Sequence, residues 1–570
     1  MKYPFWSLIF SLLLNFQAQS QNPSEALKQV IEKVDEHKGY DRKEFPLGLY
    51  TEEYYKKQAE FARERLKELE RINKNELSET AKISAELLRY DLQETVDFYG
   101  YEAYLNPLLS DAGFHVSLPY HVRDFSNYKQ VKDYLNKLNA IPAYVDQHLI
   151  LLRKGIKKGI LQPAVIFKGY EATYDDQIVE DPKESYYFSP FLKLPAVLSQ
   201  QQKDSVLIAA EKAVATKVIP QFSRVKTFFE TEYLPAARES IGVSEIPGGR
   251  EYYQNRLNYY TTLDLSAEEI HQKGLEEVAR INSEMKKIIA EAGFEGSFED
   301  FIHFLRTDEQ FYAETGEELL KEARDISKRI DAQLPKYFKT LPRKPYGVAP
   351  VPDAIAPKYT TGRYVGANDD TQPGYYWVNT YNLSNRPLYV LPALTAHEAV
   401  PGHHLQISLN GELGDSIPKF RRNFYLSAFG EGWGLYSETL AEEMGIYRTP
   451  YERFGKLTYE QWRAGRLVVD TGIHALGWTR EQAVEFLRSN TALSLHNINT
   501  EVDRYISWPG QAVSYKIGEM KIRELRKKAE EALGPYFDIR KFHEVILEQG
   551  TVTLPILEER VEAYIERSLK

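Results

Sequence analysis

Residues 397–404 have the sequence His-Glu-Ala-Val-Pro-Gly-His-His, which holds three of the 12 histidines in a chain of 570 residues. In the zinc-binding pattern His-Glu-x-x-His, two histidines one helical turn apart bind the metal and the glutamate acts as general base. Here the second histidine comes two residues late. Pro401 lacks the N–H that would bond to the carbonyl of His397. The segment therefore predicts metal-ligating histidines on a helix that bulges or kinks between them.

The first histidine and its glutamate, His397 and Glu398, have defined roles in such a pattern, but the partner histidine is ambiguous. On an unbroken helix, at about 100° per residue, His404 returns close to the face of His397, whereas His403 lies about 120° away. A bulge at Pro401 makes the premise of an unbroken helix doubtful. Helix geometry alone leaves both His403 and His404 open as ligands.

Three stretches together resemble the signature of the bacterial DUF885 family, whose members resemble gluzincin-type zinc peptidases. They are HEAVPGHHLQ at 397–406, AFGEGWGLYSE at 428–438 and PGQAVSYKIG at 509–518. The resemblance covers most of the C-terminal half of the chain by motif. The N-terminal half shares only its helical character.

The resemblance also implies a ligand set. In helical peptidases of the thimet oligopeptidase type, a glutamate on the next helix is the third ligand, and a glutamate seven residues later supports the site. Glu431 and Glu438 match that spacing. The pair Gly402-His403 matches the Gly-His that ends the motif of those enzymes, which favours His403. The implied cofactor is Zn²⁺, held by His397, His403 and Glu431.

Such a ligand set predicts hydrolytic chemistry. Two imidazoles and one carboxylate leave a fourth zinc position for a water whose pKa the metal lowers. Glu398 would accept a proton from that water and pass it to the leaving amine. Tyr515 is the candidate donor to the oxyanion, and His474 is a second candidate. Each has a structural alternative, because Tyr515 is one of 40 tyrosines and His474 could be a buried, satisfied histidine.

Four further residues could bind a substrate carboxylate, although each is of a type that is more often exposed or ion-paired. They are Arg466, Arg504, Tyr505 and Lys516.

The hydrophobic pattern predicts a mostly α fold of the α+β class, with a small β-sheet beside the metal-binding helix. The predicted body is large, helical and two-lobed, with a zincin-like active site. Ser266 and Glu269 form a capping box that opens a helix. The best strand candidate is residues 374–381, which would be either a sheet edge that binds an extended peptide or an ordinary core hairpin. The predicted portions are an N-terminal helical one at 21–246 and a C-terminal zincin-like catalytic one at 247–570.

Composition and the N-terminus narrow the class of protein. The net charge of −10 argues against a nucleic-acid partner, and the absence of cysteine excludes thiolate metal sites and a lipoprotein anchor. Lys2, the apolar run 5–14 and small residues at Ala18 and Ser20 predict a signal peptide at 1–20. An uncleaved anchor or a buried first helix is the alternative. We therefore expect an exported protein, periplasmic or secreted, with no stable membrane anchor after cleavage.

The predicted function is an exported zinc metallopeptidase, a hydrolase with a peptide substrate. One alternative is a zinc-dependent amidase or esterase on a non-peptide substrate. Another is a non-catalytic periplasmic binding or scaffold protein on a peptidase frame. Glu398 argues against the last alternative, because a binding frame needs no general base beside its ligand.

Overall fold

Helices account for most of the chain, as the hydrophobic pattern predicts, and strands are few. The computed structural model describes residues 22–353, 355–356, 359–367 and 372–570. The predicted signal peptide at 1–20 lies outside the described residues. None of the described helices combines the length and the apolar character that crossing a bilayer requires.

Thirteen α-helices precede the sheet in the described part of the chain. They are α1 (Pro23–Glu36), α2 (Glu52–Glu70), α3 (Glu79–Gly100), α4 (Tyr128–Lys158), α5 (Ala172–Asp175), α6 (Gln200–Ala213), α7 (Ile219–Phe228), α8 (Leu234–Ala236), α9 (Gly249–Thr261), α10 (Ala267–Glu291), α11 (Phe298–Thr307), α12 (Gly316–Asp331) and α13 (Leu334–Tyr337). The predicted capping box opens α10: Ser266 Oγ accepts from the amide of Glu269 at 3.2 Å, and Glu269 Oε2 accepts from the amide of Ser266 at 2.8 Å.

In the described residues, nine α-helices follow the sheet. They are α14 (Leu391–Glu398), α15 (His403–Gly411), α16 (Ser427–Glu443), α17 (Pro450–His474), α18 (Arg480–Asn490), α19 (Leu495–Ser507), α20 (Ser514–Leu533), α21 (Ile539–Leu547) and α22 (Leu554–Leu569). Most residues of α17 are buried, which is typical of a helix surrounded by protein on all sides. It packs against α10, while α16 packs against α20. These four helices form the frame of the C-terminal half.

The three described strands form one small sheet in the order β1-β3-β2. The strands are β1 (Tyr346–Pro350), β2 (Gly362–Val365) and β3 (Gly374–Val378). β3 pairs in parallel with β1 and antiparallel with β2. The predicted strand at 374–381 is thus confirmed at 374–378, but the idea that it is a free edge for a peptide is wrong. Both of its edges are already paired, and β2 is the edge strand that packs against α14.

Two large hydrophobic cores hold the described chain together, and each draws on both predicted portions. One core joins Ile83 and Leu87 of α3 to α10, α14, α16 and α20. The other joins α4 and the helices 200–236 to Val469 and Ile473 of α17 and to α19. The division of the chain at residues 246 and 247 stays a prediction.

Candidate metal centre

The helix that carries the histidine motif is interrupted where the proline predicts it. α14 ends at Glu398 and α15 begins at His403. Between them the amide of Gly402 donates to Ala396 O and the amide of His404 donates to Ala399 O, each at 3.0 Å. These bonds span six and five residues, where a regular helix would span four. The extra residues are accommodated in a short loop, so the spacing expected of an unbroken helix does not apply.

This interruption brings His397 and His403 together with Glu431 of α16. Nε2 of each histidine lies 3.5 Å from Glu431 Oε2. One ligand atom from each of the three residues lies within 4.8 Å of the other two. The two imidazole rings are nearly perpendicular, at 89°, with centroids 4.7 Å apart. The three residues predicted as a ligand set therefore form one compact cluster.

His404 is directed away from this cluster, towards the sheet. Its Nε2 lies 3.1 Å from Lys344 O, and its Nδ1 lies 3.1 Å from the hydroxyl of Tyr364. Its ring also packs on Tyr346, with centroids 4.7 Å apart. Burial lowers the pKa of His404 to about 4, which keeps the ring neutral. Of the two alternatives that helix geometry leaves open, His403 is the one that joins the cluster.

Buried carboxylates surround His397 and favour positive charge there. His397 Nδ1 bonds to Glu438 Oε1 at 2.8 Å, and Glu438 lies within 3.5 Å of Arg463. Burial alone would lower the pKa of His397, but the carboxylates of Glu431 and Glu438 raise it to about 10. Burial likewise works against the charge of Glu431, yet His403 and His397 hold its pKa well below the usual range. The cluster is thus electrostatically suited to a cation.

A glycine on α16 makes the approach of His397 possible. A Cβ at Gly434 would lie 2.7 Å from two atoms of the His397 ring, so any larger residue there would force the imidazole out of its position. The glycine-rich character of 430–434 therefore has a steric reason. It lets the α16 backbone lie directly against the first histidine.

The predicted general base, Glu398, lies at the junction of α14 and the sheet. Its Oε2 accepts a hydrogen bond of 2.8 Å from the amide of Tyr364 on β2. The side chain is partly exposed. The edge strand therefore holds this carboxylate in a defined orientation beside the cluster.

Two residues near the cluster were missed by the sequence analysis. The hydroxyl of Tyr425 donates to Glu431 Oε1 at 2.9 Å. Arg363 of β2 interacts electrostatically with Tyr359, Glu398, Glu431 and Tyr515, and these groups raise its pKa although desolvation of the guanidinium would lower it. Both lie outside the motifs, so no local spacing marks them.

The two predicted oxyanion donors differ in their surroundings. Tyr515 is partly buried, lies under the guanidinium of Arg466 at 4.4 Å from the ring centroid, and interacts electrostatically with Tyr425. In contrast, both ring nitrogens of His474 are engaged: the amide of Val243 donates to Nδ1 at 3.1 Å, and Nε2 lies 2.9 Å from Tyr505 O. His474 therefore has no free ring nitrogen for a substrate, which favours its structural alternative.

Comparison with known proteins places the chain in a family. The sequence profile of the family described as "Bacterial protein of unknown function (DUF885)" matches residues 37–561. The crystal structure of a protein from Colwellia psychrerythraea, described as a candidate lipoprotein, is 27% identical, with 96% of each chain covered and a TM-score of 0.87. A protein from Shewanella oneidensis, described as a candidate lipoprotein of unknown function, shares the fold at 18% identity, a TM-score of 0.65 and 94% and 98% coverage of the two chains. No curated protein matches. Because the profile spans most of its length, this chain belongs to the DUF885 family.

Proposed function

We propose that this protein is an exported zinc-dependent peptidase with a gluzincin-like arrangement of residues. The observation that carries the proposal is the meeting of His397, His403 and Glu431, with ligand atoms within 4.8 Å of one another. Two imidazoles and one carboxylate are a donor set that zinc accepts in hydrolytic enzymes. When bound, zinc would supply Lewis-acid polarisation of a carbonyl and a more acidic water.

The proton transfers of peptide hydrolysis fall to Glu398. Its carboxylate is adjacent to a proposed ligand in sequence and is held by the amide of Tyr364. It would accept a proton from the attacking water and donate it to the nitrogen of the leaving amine. The hydrogen bond from β2 limits the motion of the carboxylate, so the base is pre-oriented.

The two tyrosines near the cluster would have different tasks. The Tyr425 hydroxyl donates to Glu431 and so orients a proposed ligand. No residue in the described ranges hydrogen-bonds to the hydroxyl of Tyr515. That hydroxyl is therefore available to donate to the negative charge that develops on the carbonyl oxygen of the substrate.

β2 is the strand suited to bind an extended peptide. Thr361 O accepts from Asn379 N on the β3 side, whereas Tyr364 N donates to Glu398 on the other side. Since backbone groups alternate in direction along a strand, Gly362 and Tyr364 turn theirs away from β3. A peptide added along that side would gain main-chain hydrogen bonds without a requirement for particular side chains.

An exported location is part of the proposal. The relatives from Colwellia and Shewanella are described as lipoproteins, and the first 20 residues of this chain have the pattern of a signal peptide. This chain has no cysteine to carry a lipid, so we expect signal cleavage without lipid attachment.

The decisive experiment is incubation of the zinc-loaded protein with a mixed peptide library, with cleavage followed by mass spectrometry. The matched variant is Glu398→Gln, which removes the base and keeps the shape. We expect wild-type cleavage and a fall of about 10²–10⁴-fold in kcat for the variant at unchanged zinc content. Equal activity of the two proteins would refute the role of Glu398. If the protein hydrolysed esters or non-peptide amides but no peptides, the proposed function would be that of a non-peptide hydrolase and not a peptidase.

A further inference from the structure

Arg466 of α17 is a buried arginine with an unused donor. Its side chain is 4% exposed, and its guanidinium lies 4.4 Å from the ring centroids of both Trp462 and Tyr515. Nε donates to the hydroxyl of Tyr505 at 3.0 Å, and Nη2 donates to Glu501 at 3.1 Å. Nη1 is buried, and no group in the described ranges hydrogen-bonds to it. A buried guanidinium nitrogen normally has an acceptor, so this nitrogen needs one.

The charge around Arg466 is also unbalanced. Arg504 donates to the same oxygen of Glu501, at 3.3 Å, so two guanidinium groups share one carboxylate. No other carboxylate in the described ranges lies within ion-pair distance of either arginine. Asp111 and Asp470 act on Arg504 only from farther away, and burial raises the pKa of Asp470 to about 7, so that this carboxyl is only partly charged near neutral pH. The cluster therefore retains positive charge that an anion would neutralise.

Tyr515 connects this charge to the proposed active site. Its ring lies under Arg466, and it interacts electrostatically with Tyr425, whose hydroxyl donates to Glu431. Tyr515 therefore contacts Arg466 and is also coupled electrostatically to Tyr425 and Arg363, which lie near the proposed metal ligands.

We propose that Arg466 binds the free C-terminal carboxylate of a peptide substrate, so that cleavage occurs near that end. The inference rests on the proposed peptidase function and adds its substrate class. A guanidinium presents a planar set of donors that matches a carboxylate. Nη1 supplies the free donor, and the contacts of the guanidinium with the rings of Trp462 and Tyr515 restrict its orientation.

A pair of peptides that differ only at the C-terminus tests the proposal. One peptide ends in a free carboxylate and the other in a carboxamide. For the wild type we expect kcat/KM to favour the acid on the order of 10–100-fold, with the cut near its C-terminal end. Arg466→Met keeps the stacked stem and removes the charge, so the ratio should fall to near 1. Arg480→Met is the control, because Arg480 is fully paired with Asp503, and its ratio should equal that of the wild type.

A binding measurement separates this inference from the peptidase function. An N-acetyl dipeptide acid and its amide are titrated by calorimetry into zinc-loaded Glu398→Gln protein, which needs no turnover. We expect the acid to bind at least about 10-fold more tightly, and the difference to vanish when Arg466→Met is added. Acid preference in binding without any cleavage would support the carboxylate site and refute the peptidase. Cleavage with equal rates for acid and amide would refute the carboxylate site and leave the peptidase.

Two more variants keep the test decisive. Arg466→Lys retains the charge. It is used in place of Arg466→Met if the latter does not show a cooperative unfolding transition, and so is not properly folded, or does not bind zinc. We expect it to retain only part of the acid preference, because an ammonium lacks the planar fork. Arg363→Met removes a second arginine that interacts electrostatically with Tyr515 and Glu431. If the acid preference disappears in Arg363→Met and persists in both Arg466 variants, the proposal is wrong and the carboxylate belongs to Arg363.

Discussion

His397 Nδ1 donates a hydrogen bond of 2.8 Å to Glu438 Oε1, and both side chains are almost completely buried. A carboxylate in this position fixes the tautomer of the imidazole and leaves its other nitrogen, Nε2, facing Glu431, where a metal would bind. Glu431 and Glu438 are seven positions apart, about two turns of α16, so one helix supplies both a proposed ligand and the support of another. A buried carboxylate that orients a histidine is typical of metal sites and is not expected where histidines lie together by chance.

The support from Glu438 leads to a first prediction. Glu438→Gln should lower zinc affinity about 10–100-fold, because the amide cannot accept the histidine proton as strongly. Competition with a chromophoric chelator measures the change. Glu442→Gln is the control on the same helix, since Glu442 is 45% exposed and, among the described residues, forms an ion pair with Lys456 alone. If Glu438→Gln bound zinc as tightly as the wild type, the Glu438 carboxylate would have no role in zinc binding.

The two candidate histidines should have opposite phenotypes. His403→Ala removes a proposed ligand, so zinc binding should be lost while the fold persists. His404→Ala instead removes the contacts to Lys344 and Tyr364, so it should lower the melting temperature and leave about one zinc per chain. Elemental analysis and thermal unfolding of the two variants distinguish these cases. The opposite ranking in zinc content would assign the ligand role to His404.

The sequence predicted the ligand cluster because its parts are local. His397 and His403 are close in the chain, the proline that separates them acts on its own turn, and Glu431 precedes Glu438 by two helical turns. Family resemblance then connected the two helices. None of this required knowledge of contacts between distant segments.

Non-local pairing explains what the sequence missed. The aromatic run at 374–378 has a strong strand propensity, but its central place depends on pairing with β1 and β2, which local propensity does not encode. His474 bonds to Val243 and Tyr505, which lie 231 and 31 residues away. Arg363 lies 68 positions before Glu431 and belongs to no motif, so only the fold brings it near, whereas Tyr425 was missed because it stands just before the matched stretch at 428–438.

The two tyrosines give a third prediction. Tyr515→Phe should lower kcat and kcat/KM together, by about 10²–10³-fold, because a donor to the oxyanion acts only in the transition state. Tyr425→Phe should instead weaken zinc binding, because its hydroxyl bonds to Glu431 Oε1. Steady-state kinetics and zinc content of both variants separate these roles. A raised KM at normal kcat in Tyr515→Phe would make Tyr515 a substrate-binding residue, and unchanged kinetics would make it a packing residue.

The last prediction concerns stability in the N-terminal half, far from the motifs. His148 is buried beside the rings of Tyr50, Phe114 and Tyr144, and neither ring nitrogen has a hydrogen-bond partner in the described ranges. Burial lowers its pKa from 6.5 to about 3. The unfolded chain therefore binds a proton that the folded chain does not, at any pH between these two values. Stability must fall as the pH drops through that window.

The expected loss from His148 alone is about 2 kcal/mol between pH 7.5 and pH 5. His148→Leu, which replaces the ring with an apolar side chain of similar volume, should remove that part of the pH dependence. Urea unfolding at both pH values gives the change in unfolding free energy for the variant and for the wild type. The contributions of other titrating groups are the same in both proteins and cancel in the difference. His303→Gln, at an exposed position on α11, should retain the full wild-type dependence. If His148→Leu loses as much stability on acidification as the wild type, the imidazole is protonated in the folded protein and the aromatic surroundings do not exclude its charge.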